Sequence, residues 1–362
     1  PYPDQSDILT YHKADVPEPS GPTMDLTATN IVIATGAKPR PLPGNPFAGA
    51  LIDSTQALEV NEFPSSAVII GAGAIALEFA SMWNAAGSKV TLLIRKDRVL
   101  SAWDRRAGTT LTRELKRHGV NIITRASVTH VDTGANLGAT VHYTCEGQDG
   151  EQSVWGEIAL VAIGRDPITD PAWGVTIDDH GHVATDAYGR TDKPGVWAVG
   201  DVTAGHALAH RAFEQGIVIA ETIAGLNPKP VDEATVPQIV FSFPEAASVG
   251  LTVEQAQARE DLIEIKETNY PMLANARMLM SGTAGSLTIV SGCDAANPDT
   301  PRVLGVHMVS QMASDIIAEA EQLVGNHVPL ADAARLVHPH PTFSETLGEA
   351  LLKADGRPLH TR

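Results

Sequence analysis

Residues 67 to 94 place a glycine fingerprint where one short apolar run ends and a helical pattern begins. Ala67-Val-Ile-Ile is the apolar run. Gly71-Ala72-Gly73-Ala74-Ile75-Ala76 follows, and apolar residues then recur at helical spacing to Ala86. Lys89-Val-Thr-Leu-Leu-Ile94 is a second apolar run. Strand, helix and strand within about thirty residues make a βαβ unit, the building block of a doubly wound parallel sheet. Gly71 permits the tight turn. Gly73 lets a pyrophosphate approach the backbone, and the small side chain of Ala76 allows close packing of helix on strand. The helix start also offers unpaired N–H groups and the positive end of its dipole to an anion. A purely structural glycine turn is the alternative reading, and the strand–helix–strand context favours a dinucleotide site.

The same punctuation recurs. Ile31-Val-Ile-Ala-Thr-Gly36, Leu160-Val-Ala-Ile-Gly164 and Val196-Trp-Ala-Val-Gly200 are apolar runs closed by glycine. Such runs read as buried parallel strands, covered on both faces and ending where a ligand approaches. Arg105 to His118 reads as an amphipathic helix. From Val236 the texture changes. Ile239 to Phe243, Leu262 to Tyr270, Ser286 to Val290 and Val303 to Val309 are expected to form an antiparallel sheet. Helices are expected at Thr252 to Arg259, Ala313 to Val324, Leu330 to Leu336 and Phe343 to Ala354, and a loop at Asn297 to Pro301. The fold class is therefore α/β, with Rossmann-like nucleotide-binding domains followed by a separate α+β domain.

A chain of 362 residues suits two or three domains. Its net charge of −17 argues against nucleic acid or an anionic membrane as partner. No apolar run approaches the length of a membrane span, and Pro1 to Ser20 lack a signal-peptide pattern, so a cytoplasmic location is expected. In so acidic a chain, an anionic ligand must be met by local positive charge. After Ile94 come Arg95, Lys96, Asp97 and Arg98, at the place where an acid ordinarily holds the adenine-ribose 2′-OH of NAD. A guanidinium there would grip a 2′-phosphate, which points to NADP. Asp97 could serve the ribose instead and keeps NAD open. Cys145 and Cys293 fit no C-x-x-C, zinc or disulfide-framework spacing, and no metal site is expected.

Two further segments carry chemistry. Asp201 stands at the tip of the Val196 to Gly200 strand, where it can accept hydrogen bonds from polyol hydroxyls. Ala207-Leu208-Ala209-His210 opens the next helix. Near the end stands His338-Pro-His340-Pro-Thr-Phe-Ser-Glu345. Thr342 and Glu345 have the spacing of a helix capping box, so a structural role for Glu345 is open. The other reading is a His340–Glu345 pair, in which the carboxylate orients the imidazole.

Taken together, these motifs resemble the pyridine nucleotide-disulfide oxidoreductase family over nearly the whole chain, in order. Asn30 to Gly36 resembles its ATG strand, and the Gly71 fingerprint its nicotinamide-nucleotide motif. Ala162-Ile-Gly-Arg165 is similar to its returning segment, and Gly200-Asp201 to its flavin GD motif. Within the family the chain is most similar to the dihydrolipoamide dehydrogenases. That similarity rests on His338 to Glu345, Ala207 to Gly216, Val236 to Glu245 and Ala274-Asn-Ala-Arg277. The resemblance implies an FAD domain (1–60 and 167–234), interrupted by an NAD(P) domain (61–166) and followed by a dimerisation domain (235–362). It implies FAD contacts from Thr35, Gly36, Ala37, Asp201 and Ala207 to His210. Nucleotide contacts would come from Gly71 to Ala76, Glu78, Arg95, Val128, Gly164 and Arg165. His340 would be the acid–base residue and Glu345 its partner, acting across a homodimer on a small dithiol such as dihydrolipoamide or a lipoyl-domain protein. The family's first G-x-G-x-x-G and its C-x-x-x-x-C pair are not in this sequence, and the printed chain alone is expected not to complete the cycle. Ile94-Arg-Lys-Asp-Arg looks more like glutathione reductase. A glutathione, mycothiol or quinone reductase is therefore a second reading, and a non-enzymatic nucleotide-binding and dimerisation fragment a third.

Overall fold

The computed structural model describes residues 26–134 and 138–361. The first part of the expected FAD segment, residues 1–25, lies outside the described residues. The chain divides into two compact units: Pro1–Ala37 with Pro167–Val231, and Lys38–Asp166 with Asp232–Arg362. It passes between them within β2 (Ala37–Pro39) and β11 (Arg165–Pro167).

In the smaller unit, β1 (Ile31–Ile33) pairs in parallel with β12 (Val196–Ala198), and α4 (Ala209–Ile223) follows. Parallel pairing sends the C-terminal ends of both strands, and thus Gly36 and Gly200, to the same edge. The expectation that β1 is covered on both faces is not met. Ile31 and Val32 are 45% and 42% exposed, because β12 is the one strand beside β1 among the described residues.

The larger unit contains a five-stranded parallel sheet. Its order is β3 (Leu51–Ile52), β10 (Ile158–Val161), β4 (Ser66–Ile70), β5 (Lys89–Leu93), β6 (Asn121–Ile123). The alternation of strand side chains decides what each face meets. Ala67 and Ile69 of β4 and Leu92 of β5 pack with Leu77, Ala80 and Trp83 of α2 (Ala74–Ala85). They share that core with Leu111 and Leu115 of α3 (Arg105–Arg117). The short α1 (Ser54–Leu58) adds Ala57 to this side. Val68, Ile70 and Leu93 face a three-stranded antiparallel ribbon that the sequence reading did not resolve. It is formed by β7 (Ala126–Asp132), β8 (Ala139–Cys145) and β9 (Gln152–Gly156). Each fully buried Leu or Ile contributes about 1.5–3 kcal/mol.

The remaining sheet is antiparallel, in the order β13 (Gln238–Val240), β14 (Glu245–Gly250), β17 (Asn297–Ser310), β16 (Ser286–Asp294), β15 (Leu262–Pro271). On one face Ala247, Leu287, Ile289, Val306 and Met308 pack under α7 (Ala313–Gly325), α8 (Leu330–Ala333) and α9 (Glu345–Ala354). On the other, Ser286 and Thr288 hydrogen-bond to Thr110 and Asp104 at α3, at 3.1 and 3.4 Å. Two short helices, α5 (Val253–Gln257) and α6 (Ala276–Ser281), lie in the connections. Asn297 to Pro301 is the start of β17, not a loop. The two-residue turn Ala295-Ala296 leads straight into the pairing of Asp294 with Asn297. Pro298 and Pro301 are tolerated at this exposed hairpin end, where donors are not required of every residue, and Arg302 clamps Asp294 through two bonds of 2.8–2.9 Å.

Candidate functional site

The turn from β4 into α2 lies where the nucleotide cradle is expected from the sequence. Gly71 has φ +142°, and a Cβ there would lie 2.1 Å from the Ala162 carbonyl oxygen, so a larger residue is excluded by the neighbouring strand end. Ala76 is fully buried at this crossing, which explains its small size. A Cβ at Gly73, by contrast, would meet nothing within 4 Å. Gly73 caps α2 with no side-chain hydrogen bond, so the first N–H groups of the helix at Ala74 and Ile75 have no side-chain cap. The open space at Gly73 and these donors fit a pyrophosphate. Gly164 (φ +130°) and Arg165 follow β10, the strand beside β4. Val128 lies on β7 and packs against the core that contains Val68, Ile70 and Val161. Ala72 uses its carbonyl to accept the N–H of Leu100 at 3.0 Å. Glu78 turns to the protein itself: its carboxylate accepts the N–H of Phe241 at 3.0 Å.

Of the basic residues after Ile94, the structure leaves two facing solvent. Ile94 is buried, whereas Arg95 and Lys96 are exposed. Arg98 is turned inward, 15% exposed, donating to Asp97 at 3.3 Å and to the Ser101 carbonyl at 3.1 Å. The expected trio of cations is thus a pair, and Asp97 is tied to Arg98.

In the smaller unit, Thr35 donates its hydroxyl to the Ile168 carbonyl at 2.7 Å, and Gly36 (φ +70°) accepts the Ile168 N–H at 2.9 Å. Ala37 opens β2. Asp201 sits in a tight turn directly beyond β12. Ala207 and Leu208 precede Ala209 and His210, the first residues of α4, whose cap Leu208 makes no side-chain bond. Arg211, which carries no motif of its own in the sequence, also shapes this corner. Buried, it donates to the Ala204 carbonyl at 2.5 Å, and a Cβ at Gly205 would fall 2.2 Å from its guanidinium. It holds the loop that delivers the α4 start. Two strand ends, an acid and an uncapped helix on one edge fit a polyol-phosphate cofactor such as FAD.

The two histidines of the C-terminal motif separate sharply. His338 is enclosed: its Nε2 is 2.9 Å from Glu319, which holds its pKa above the ordinary histidine value, and a Cβ at Gly348 would strike its ring at 2.3 Å. It is a packing residue. The side chain of His340 is 71% exposed, and its Nδ1 is 2.7 Å from Oε2 of Glu345, whose side chain is 14% exposed. The other carboxylate oxygen of Glu345 accepts from Asn275 Nδ2 at 2.9 Å. Asn275 also donates to the Thr342 carbonyl at 3.0 Å and caps α6 through Met278 N at 3.1 Å. Asn275 is visible in the sequence only as part of a family-like segment, and its contact with the Glu345 carboxylate, seventy residues away, has no local signal. Half of the expected capping box exists, since Glu345 N donates to Thr342 Oγ1 at 3.2 Å. The Glu345 side chain, however, goes to His340.

Residues 4–216 match the family described as pyridine nucleotide-disulphide oxidoreductase, and residues 236–351 match the dimerisation domain of that family. The chain belongs to this family. It is 38% identical over 341 residues to a dihydrolipoyl dehydrogenase of Cupriavidus necator, covering 92% of this chain and 70% of the relative. A dihydrolipoyl dehydrogenase of Bacillus subtilis is 36% identical over the same shares. Among solved structures it is similar to LpdA from Mycobacterium tuberculosis (TM-score 0.79, 27% identity, 90% of this chain and 69% of that one). It is also similar to the flavoprotein disulfide reductase RclA from Escherichia coli (TM-score 0.78, 27% identity, 89% and 73%). As a family member it is an oxidoreductase of FAD and a nicotinamide nucleotide. No helix among the described residues is long and apolar enough to cross a membrane.

Proposed function

We propose that this chain carries the nucleotide-binding and acid–base parts of a dihydrolipoamide dehydrogenase, and that His340 moves the substrate thiol proton. The observation that carries this reading is the chain of contacts Asn275–Glu345–His340. Glu345 accepts Nδ1–H and so fixes the tautomer that leaves the exposed Nε2 free to act as base. A dithiol S–H gives its proton to Nε2, and the resulting thiolate is the nucleophile for disulfide exchange. The positive charge then on the imidazole is balanced by Glu345, itself held by Asn275. FAD and the nicotinamide nucleotide, when bound, supply the two-electron transfer. Gly71 to Ala76 and Gly164 would hold the nucleotide, with Arg95 at its adenine ribose, and Asp201, Thr35 to Ala37 and Ala207 to His210 would hold the flavin.

The exposed apolar side chains Leu273, Leu279 and Met280, in the part matched to the dimerisation domain, suit burial in a homodimer. A lipoyl-domain protein is the proposed carrier of the dithiol, and the cytoplasm the proposed location. Comparing kcat/KM for dihydrolipoamide with that for glutathione, mycothiol and quinone substrates tests the reading. A preference of tenfold or more for dihydrolipoamide supports it, and an equal preference for glutathione disulfide would overturn it.

A further inference from the structure

The outer surface of the three-stranded ribbon carries a cluster that no part of the redox site uses. His130 on β7 and His142 on β8 stand directly opposite one another in the strand register, just after an irregularity between Val128 and His130. Their rings are parallel within 8°, with centroids 4.0 Å apart. Glu151 precedes β9 and reaches both, with Oε1 3.8 Å from His130 Nδ1 and Oε2 3.6 Å from His142 Nδ1. On the far side of the rings, Asp132 lies 3.1 Å from His142 Nε2 and 3.9 Å from His130 Nε2. Thr129 donates its hydroxyl to Glu151 Oε1 at 2.6 Å and stands 3.3 Å from His130 Nδ1. One ligand atom from each of His130, His142 and Glu151 lies within 4.8 Å of the others.

We propose that His130, His142 and Glu151 form a surface site for a divalent transition-metal ion of the nitrogen-preferring kind, such as Zn²⁺. Three arguments converge. The donor set of two imidazoles and a carboxylate is that of three-ligand zinc sites, which leave the fourth position to water. Asp132 supplies the outer carboxylate that metal-binding histidines characteristically engage. By accepting Nε2–H of His142 it turns the Nδ1 lone pair toward Glu151. His142 Nδ1 and Glu151 Oε2 then face each other at 3.6 Å, a gap that a bound cation can bridge. The spacing is also nearly right. Two ligand atoms at about 2.0–2.1 Å from a tetrahedral zinc are roughly 3.4 Å apart, a few tenths of an ångström less than the nitrogen–oxygen distances here. Parallel rings cannot aim two in-plane lone pairs at one ion, so binding turns one imidazole about χ2, a soft torsion. His130, Asp132 and Glu151 are well exposed, which gives the ion access. Occupancy would add a metal-mediated link to the backbone pairing and side-chain hydrogen bonds that already join β7, β8 and the start of β9.

Competition of Zn²⁺ against a chromophoric chelator, on intact untagged protein at pH 7.5, tests the site. One equivalent bound by the wild type should be lost in His130→Ala/His142→Ala, weakened about tenfold or more in Asp132→Asn, and kept in the exposed control His180→Ala. Circular dichroism of each variant establishes that the ribbon is folded. Should the double variant be misfolded, Glu151→Gln, which leaves both histidines in place, serves with the same expected loss. Equal stoichiometry and affinity in wild type and variants would overturn the site. So would wild-type binding no tighter than millimolar.

Discussion

Replacing Asn275 with Asp isolates the charge at the acid–base pair, because it keeps the shape and the helix cap while exchanging one donor for an acceptor. Asn275 is 4% exposed, and its Oδ1 caps α6. Its Nδ2 is 2.9 Å from Glu345 and 3.0 Å from the Thr342 carbonyl. In Asn275→Asp both nitrogen contacts become oxygen–oxygen contacts. Two carboxylate charges about 4 Å apart repel by roughly 4 kcal/mol at an effective permittivity near 20. That corresponds to about three pKa units for one of them, so the pair holds a shared proton near neutrality. A carboxyl pKa raised in the folded state gives stability that is present below the unfolded value, near 4, and lost as pH rises through the folded value. The variant should therefore match the wild type in urea unfolding near pH 4 and fall behind by up to about 4 kcal/mol by pH 8. The shared proton also competes with Nδ1–H of His340, so turnover should drop. A stability difference that stays flat from pH 4 to 8 would refute the charge argument.

Two other perturbations read separate parts of the molecule. With Arg98 tied to Asp97, Arg95→Ala should weaken NADPH about tenfold, the loss of one charge-assisted contact of roughly 1.5 kcal/mol, and leave NADH nearly unchanged. Titration of both nucleotides decides this, and a tenfold advantage of NADH in the wild type would make the turn plain solvated surface. His307 is fully buried, takes the Ser248 hydroxyl on Nδ1 at 2.7 Å and gives Nε2–H to the Leu251 carbonyl at 3.0 Å. Burial pushes its pKa below the ordinary value. Its contribution is therefore intact above about pH 6.5 and is lost as pH falls, by up to about 1.4 kcal/mol per unit. His307→Gln should flatten the acid limb of the unfolding curve, and an unchanged slope there would contradict it.

The parallel sheet was legible because its signals are local. Gly71 must be glycine for reasons of backbone space, and β4, α2 and β5 fall where periodicity put them. The His340–Glu345 pair was legible for the same reason, being five residues apart. Most of what escaped depends on contacts between distant segments, and the rest on side-chain direction within a turn. Asn275 meets Glu345 across seventy residues, and Arg98 folds inward through its own turn, which charge counting cannot see. The ribbon of β7, β8 and β9 mixes polar and apolar residues in short strands, so its alternation is weak. His130, His142 and Glu151 lie on or beside three different strands, and no ligand spacing appears until the hairpins pair. Asn297 to Pro301, with two prolines in five residues, reads as a loop in sequence, whereas the pairing of Asp294 with Asn297 across a two-residue turn makes it the start of β17.

The most direct test of the account is the kinetics of His340→Gln in the intact, cofactor-loaded protein. Glutamine keeps a polar side chain but cannot take a proton from a thiol. Dihydrolipoamide oxidation should slow by about 10²–10⁴-fold, the usual contribution of a general acid–base group, while nicotinamide-nucleotide affinity stays within about twofold. A variant that turns over within about threefold of the wild type, less than 1 kcal/mol of barrier, would remove His340 from the proton step.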